Sequence, residues 1–182
     1  MNQFISLFLL ASLSIAVSAQ SQQTKNELPI DSTTHKYTFT EVIQVKGASD
    51  TELYSRARFF VSDIFKSAKA VTDLQDDVSK TILIKPIIKN RVKSFLVNDP
   101  WGYTIYQFTI QCKPGRYRYI ITDLYHKGEP YGMRDGGALE SEKGNGFTKS
   151  TWQQVKEQAR IEITSVIELL KNRMNSQKNS DF

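Results

Sequence analysis

The sequence predicts an α+β domain in the order strand, helix, four strands, helix, built as one curved antiparallel sheet with both helices on one face. Three observations carry this. Tyr103 to Tyr125, YTIYQFTIQCKPGRYRYIITDLY, reads as two long strands about a tight turn. Two other stretches, near 50–66 and 151–174, each carry one apolar stripe at helical spacing and open on a capping-box pattern. The segments between alternate apolar and polar side chains with period two. Elements with one apolar face bury it against one another, and stacking both helices on one side of a meander is the simplest packing. The opposite sheet face is then left open.

The hairpin organises the rest. Tyr106, Phe108, Ile110 and Cys112 are apolar, while Gln107, Thr109 and Gln111 between them are polar, so one face is buried and one is not. Pro114 presets its own φ and Gly115 accepts the positive φ of the next turn position. The return strand, Arg116 to Tyr125, alternates less cleanly because Tyr119, Ile120 and Ile121 are consecutive. It is expected to be central, with apolar contact on both faces.

At 182 residues the chain suits one domain. Its first 19 residues carry no charged side chain and end on Val17, Ser18 and Ala19. This predicts an export signal cleaved after Ala19, with no membrane span left after cleavage and the protein placed in the periplasm or outside the cell. An uncleaved anchor is the alternative, although the run is short and interrupted by serines for a spanning helix. Residues 20–35 are polar and read as a flexible leader, 36–175 as the domain, and 176–182 as a disordered tail.

Tyr37 to Lys46 is the first strand. Tyr37, Phe39, Ile43 and Val45 share a face, and Glu41 breaks that row, so it lies near an end or is paired. Gly47 ends the strand. Ser49-Asp50-Thr51-Glu52 is a capping box opening a helix to about Lys66, with Leu53, Ala57, Phe60, Val61 and Ile64 inward and Arg56, Arg58 and Asp63 toward solvent. Ala70 to Leu74 and Lys80 to Ile88 are the next strands, with Pro86 at an edge or bulge. Asn98-Asp99-Pro100 reads as a turn into the hairpin. His126 to Lys149 has six glycines and no period, a loop long enough to be functional or mobile. Ser150-Thr151-Trp152-Gln153 is a second capping box, opening a helix to about Met174.

Val42-Ile43, Gly47-Ala48-Ser49, Leu53-Tyr54 with Arg56-Ala57, and Gly115-Arg116-Tyr117-Arg118-Tyr119 resemble the motifs of a family of exported proteins, mostly from Bacteroidetes. The family's domain of unknown function is assigned a TBP-like fold, similar to one half of a TATA-binding protein. The resemblance covers Tyr37 to Tyr125 and, more loosely, the second helix. It implies a TBP-like β-α-β(4)-α domain, and it implies no activity or site residue. One departure is Asp76-Asp77-Val78-Ser79-Lys80, where the family pattern would place a glycine. Fold alone does not carry function, so DNA binding is not implied.

No catalytic or metal-binding signature stands out, and no cofactor is expected. The single cysteine, Cys112, excludes an intramolecular disulfide and sits on an apolar strand face. The two histidines, His35 and His126, lie far apart in sequence. Gly144 to Ser150 departs from a phosphate loop, because Thr148 precedes Lys149 and a long loop precedes the glycines. The net charge of +5 favours an anionic envelope component, a polysaccharide or a protein over nucleic acid as partner of an exported protein. The expected function is a non-catalytic binding or envelope-associated domain. Its ligand surface is the open sheet face, carried by Lys85, Lys89, Gln107, Thr109, Arg116, Arg118 and Tyr119, with the glycine-rich loop as a lid. Arginine beside tyrosine on a strand offers stacking as well as charge. The alternatives are an envelope- or glycan-directed hydrolase working through His126 and a neighbouring carboxylate, and a structural protein that oligomerises through the open sheet.

Overall fold

The computed structural model describes residues 27–65, 72–93, 98–129 and 134–176. Their order is β1 (Phe39–Gln44), α1 (Asp50–Ile64), β2 (Thr72–Asp76), β3 (Thr81–Ile84), β4 (Ile87–Lys93), β5 (Asn98–Lys113), β6 (Arg116–Lys127), β7 (Gly137–Ala138) and α2 (Lys149–Asn175). All strand pairs are antiparallel, in the order β1-β6-β5-β3-β2, with β4 on β5 and β7 on β6. The export signal, residues 20–26 of the expected leader and residues 177–182 of the expected tail lie outside the described residues.

Both helices cover the face that the alternation marks as apolar. Tyr106, Phe108, Ile110 and Cys112 of β5 and Tyr117, Tyr119 and Ile121 of β6 are buried there. Phe60 of α1 meets Phe108 edge-on at 6.2 Å. Leu53, Ala57 and Val61 complete the buried stripe of α1, and Trp152, Val155, Ala159, Ile163, Ile167, Leu170 and Met174 form that of α2. Each large side chain so buried contributes about 1.5–3 kcal/mol. Ile167 takes the inward position, whereas Ile161 and Leu169 remain exposed.

Ile120 interrupts the alternation of the return strand because it projects to the open face between the buried Tyr119 and Ile121, and farther along a bulge changes which positions are buried. Asp123 has φ +56°, and the register between Ile105↔Tyr125 and Gln107↔Thr122 absorbs one extra residue in β6. A bulge moves every later side chain to the opposite face. Tyr117, Tyr119 and Ile121 are therefore inward before it, and Leu124 and His126 after it.

Several expectations are corrected. The strand expected over Lys80 to Ile88 breaks at Lys85-Pro86 into β3 and β4, which pair end to end along β5. Pro86 lacks an amide to donate, and its carbonyl accepts from Tyr106 at 3.2 Å. The alternation Ile88, Asn90, Val92 stays buried, so β4 runs on to Lys93. Asn98-Asp99-Pro100 starts β5 instead of turning. Tyr37 lies before β1 and bridges to Ile30. Residues 27–35, expected in the leader, are folded: Leu28 is buried, and Asp31 Oδ1 accepts from the amides of Thr33 and Thr34.

Helix starts and turns also differ in detail. Ser49 Oγ accepts from the Glu52 amide at 3.1 Å as the capping box requires, but the Glu52 carboxylate goes to Arg56. Arg56 is not turned to solvent; its guanidinium also donates to the Met174 carbonyl near the end of α2. The cap of α2 is Thr148, whose hydroxyl accepts from the Thr151 amide at 3.1 Å, and not Ser150. Where the β2–β3 turn lacks a glycine, Lys80 takes the left-handed conformation with φ +53°. Asp76 tightens that turn by accepting from the Val78 amide and the Ser79 hydroxyl.

Candidate functional site

The open face can be read row by row, since directly paired residues project to the same side. One row runs Asp76–Thr81–Gln111–Arg118–Val42 across β2, β3, β5, β6 and β1. The next runs Leu74–Leu83–Thr109–Ile120–Thr40. Farther along β5, Ile87, Ile105 and Tyr125 align, and then Lys89, Tyr103 and Lys127. Val42, Leu74 and Ile87 are each about half exposed on this face.

The row at the turn end opens into a concavity of about 440 Å³ lined by Ser79, Thr81, Gln111, Lys113, Arg116 and Arg118, with Val42 on its floor. Arg118 is not loose: its Nε and Nη2 donate to Gln111 Oε1 at 3.1 and 2.6 Å. This holds the guanidinium across the two central strands and leaves the Gln111 amide nitrogen to donate elsewhere. The carboxylate of the row, Asp76, has one oxygen on the Val78 amide and the other on the Ser79 hydroxyl. Those bonds, the hydroxyl first, hold its pKa below the ordinary value. Three cations and several neutral donors thus face a shallow basin beside an acid already satisfied by its own turn.

The expected ligand residues do not form one site. Arg116 and Arg118 line the basin, and Gln107 and Thr109 lie half-buried at the centre of the open face. Lys85 is paired with Asp73 at 2.9 Å. Lys89 lies opposite Tyr103, eight residues along β5 from Gln111, or roughly 26 Å away at strand rise. A small ligand cannot touch both. Tyr119 is a correction: it is buried on the helix face, where its hydroxyl donates to Glu41 at 3.1 Å. Strand alternation sends Arg116 and Arg118 one way and Tyr117 and Tyr119 the other, so the arginine–tyrosine stacking surface is split between faces. Glu41 is paired, as its place in the first strand requires, with Lys171 at 2.6 Å. Gln111 and Lys113 were the residues missed; the alternation that selected Gln107 and Thr109 reaches Gln111 two positions on.

His126 is fully buried. Its Nε2 donates to the Trp101 carbonyl at 2.6 Å, and its Nδ1 accepts from the Gly136 amide at 3.1 Å. Both ring nitrogens are therefore held by backbone groups, which fixes a neutral tautomer, and burial pushes the pKa below the ordinary value. Phe147 and Trp152 pack against the ring, with centroids 4.8 and 5.9 Å away. In this geometry the imidazole has no free nitrogen for a proton transfer, and the hydrolase arrangement has no base at this position.

The glycine-rich loop does not lie over the open face in its described part. Leu139, Gly144 and Phe147 are buried on the helix side, around Trp152. Gly144 is obligatory there, because a Cβ would sit 2.5 Å from the indole. Cys112 is buried, and burial raises its thiol pKa to about 12. Among the described residues no group of three or more histidine, cysteine or acidic side chains could hold a metal ion. No helix among them is long and apolar enough to cross a membrane.

The family model described as a domain of unknown function (DUF4468) with TBP-like fold matches residues 39–127. The matched stretch is just under half of the chain. The match runs from the first residue of β1 to the last of β6, so it contains the whole sheet except β7, and α1. A DUF4468 family protein from Bacteroides ovatus is similar in structure, with a TM-score of 0.60 at 15% identity over 80% of this chain and 90% of that one. A TBP-like protein from Parabacteroides distasonis has a TM-score of 0.54 at 15% identity, over 80% and 97%. At that identity the likeness is one of fold. Among curated proteins, none matches the chain. The chain thus has the TBP-like architecture, a curved open antiparallel sheet with two helices, and the second helix lies beyond the matched residues.

Proposed function

We propose that this protein is a non-catalytic binding module of an exported protein, and that it takes a carboxylate- or phosphate-bearing envelope polysaccharide at the turn end of its open sheet face. The observation that carries the reading is the convergence of Lys113, Arg116 and Arg118 on one concavity, with Arg118 braced by Gln111. Planar guanidinium groups match carboxylate and phosphate oxygens in pairs. With the tyrosines on the other face, recognition rests on charge and hydrogen bonds and not on ring stacking. The uncharged first 19 residues support export.

The test is retention of purified protein on immobilised polygalacturonate against a neutral glucan. Retention on the acidic polymer is expected to fall with salt. Arg116→Glu with Arg118→Glu should abolish it at unchanged thermal stability, while Lys89→Glu at the far end should have little effect. Retention unaffected by the arginine pair would rule the basin out. The half-exposed Val42 and Leu74 favour a second reading, in which another copy of the chain covers this face. Sedimentation would then show a dimer that Val42→Lys dissociates.

A further inference from the structure

Among the described residues β4 pairs with β5 along one edge and with no strand along the other. Its outward main-chain groups are met by side chains of α2. The Arg91 amide donates to Gln158 Oε1 at 3.0 Å, and Gln158 Nε2 donates back to the Arg91 carbonyl. Two residues on, the Lys93 amide donates to Gln154 Oε1 at 3.0 Å. A glutamine side chain ends in the same amide group as the backbone. Gln158 therefore exchanges two hydrogen bonds with Arg91 as the opposing residue of an antiparallel strand does.

The spacing fits as well. Residues four apart on a helix are separated by about 6 Å along its axis, and residues two apart on a strand by about 6.6 Å. Gln154 and Gln158 thus occupy successive rungs of a ladder that a neighbouring strand would otherwise fill. Unpaired sheet edges attract other strands, and this one is covered by side chains on pliable stems. The groove between β4 and α2, about 800 Å³, has Lys89, Arg91 and Lys93 along its strand wall.

We propose that the outer edge of β4 is a strand-accepting site closed by Gln154 and Gln158, and that the strand it accepts is an extended acidic peptide. Main-chain hydrogen bonds displace the glutamine amides one for one, so little hydrogen bonding is lost in the exchange. The choice of partner follows from charge. Lys89, Arg91 and Lys93 are exposed at alternate positions, the face opposite Ile88, Asn90 and Val92. Residues directly opposite across a strand pair interact, and like charges there destabilise. Pairing β4 with β4 of a second copy sets these cations against one another, whereas carboxylates at alternate positions of a peptide match them.

The test titrates the full-length protein into a fluorescent nine-residue peptide alternating threonine and glutamate, with a threonine–lysine peptide as control, by anisotropy. The glutamate peptide should bind and the lysine peptide should not. Gln154→Ala with Gln158→Ala should tighten binding about tenfold, since the caps no longer compete. Lys89→Glu with Lys93→Glu should weaken it at least about tenfold. Circular dichroism and melting temperature establish that each variant is folded. The proposal is overturned if neither the wild type nor the folded alanine pair binds, or if both peptides bind equally. It is also overturned if the alanine pair self-associates in sedimentation without binding peptide, which would assign the edge to a second copy.

Discussion

Gly136 donates its amide to Nδ1 of His126 over 3.1 Å, inside a cage made by Trp101, Phe147 and Trp152. Burial disfavours the charged imidazole. The folded-state pKa of His126 is accordingly lowered from 6.5. In the window below 6.5 the unfolded chain binds the proton and the folded one does not, so stability falls as pH falls. The contribution is complete above pH 6.5, and the slope is at most about 1.4 kcal/mol per pH unit. Urea denaturation between pH 7.5 and 5 should show this loss, and His126→Gln should be less stable at pH 7.5 but flatter across the range. Asp135, held low first by the Gly128 amide and then by Lys127, begins to matter only at more acidic pH.

Gly144→Ala should overpack the same cage. Its Cβ would lie 2.5 Å from Cε3 and 2.6 Å from Cζ3 of a fully buried Trp152 whose Nε1 is fixed on the Ser141 carbonyl. A loss of about 1–3 kcal/mol is expected, together with a change in tryptophan emission. An unchanged urea midpoint would mean that the loop gives way freely.

Arg56 ties the two helices together and should behave as a capping residue more than as half of an ion pair. Arg56→Ala removes its bond to the Met174 carbonyl and is expected to cost about 2 kcal/mol. Glu52→Gln removes only the partly exposed i,i+4 pairing and should cost at most about 0.5 kcal/mol. Equal losses in thermal unfolding would contradict this assignment.

Tyr117→Phe should be neutral or stabilising by about 1 kcal/mol. The Tyr117 hydroxyl is buried with no hydrogen-bond partner among the described residues, and burial pushes its pKa up. A clear drop in melting temperature would show that the hydroxyl does have a partner.

The buried face of β5, α1 and α2 are legible because each follows a single unbroken period, and the central hairpin because Pro114-Gly115 marks its turn. The sequence misled where two elements share one period. Ile82 to Val92 keeps the same alternation across Pro86, so the strand break left no mark in the pattern. The bulge at Asp123 shows only as the passage of buried positions from Ile121 to Leu124, since a positive φ at aspartate has no strong signature. For the basin, the arginines are legible, and alternation alone places Tyr119 on the opposite face from them. The roles of Arg56, Gln154 and Gln158 could not be read locally, because their partners lie some 60 to 120 positions away in the chain.

The pairing of β1 with β6 sets Phe39 beside Ile121, and β1 has no other strand partner among the described residues. The first strand to leave the ribosome must wait for one made about eighty residues later, a loop closure that makes such topologies slow to fold. Until then Phe39 and Ile43 have no sheet to join, whereas β2 to β6 can assemble by successive neighbours. A chain built in this order keeps one edge of its sheet vacant through most of its synthesis, until β6 is made and β1 can dock on it.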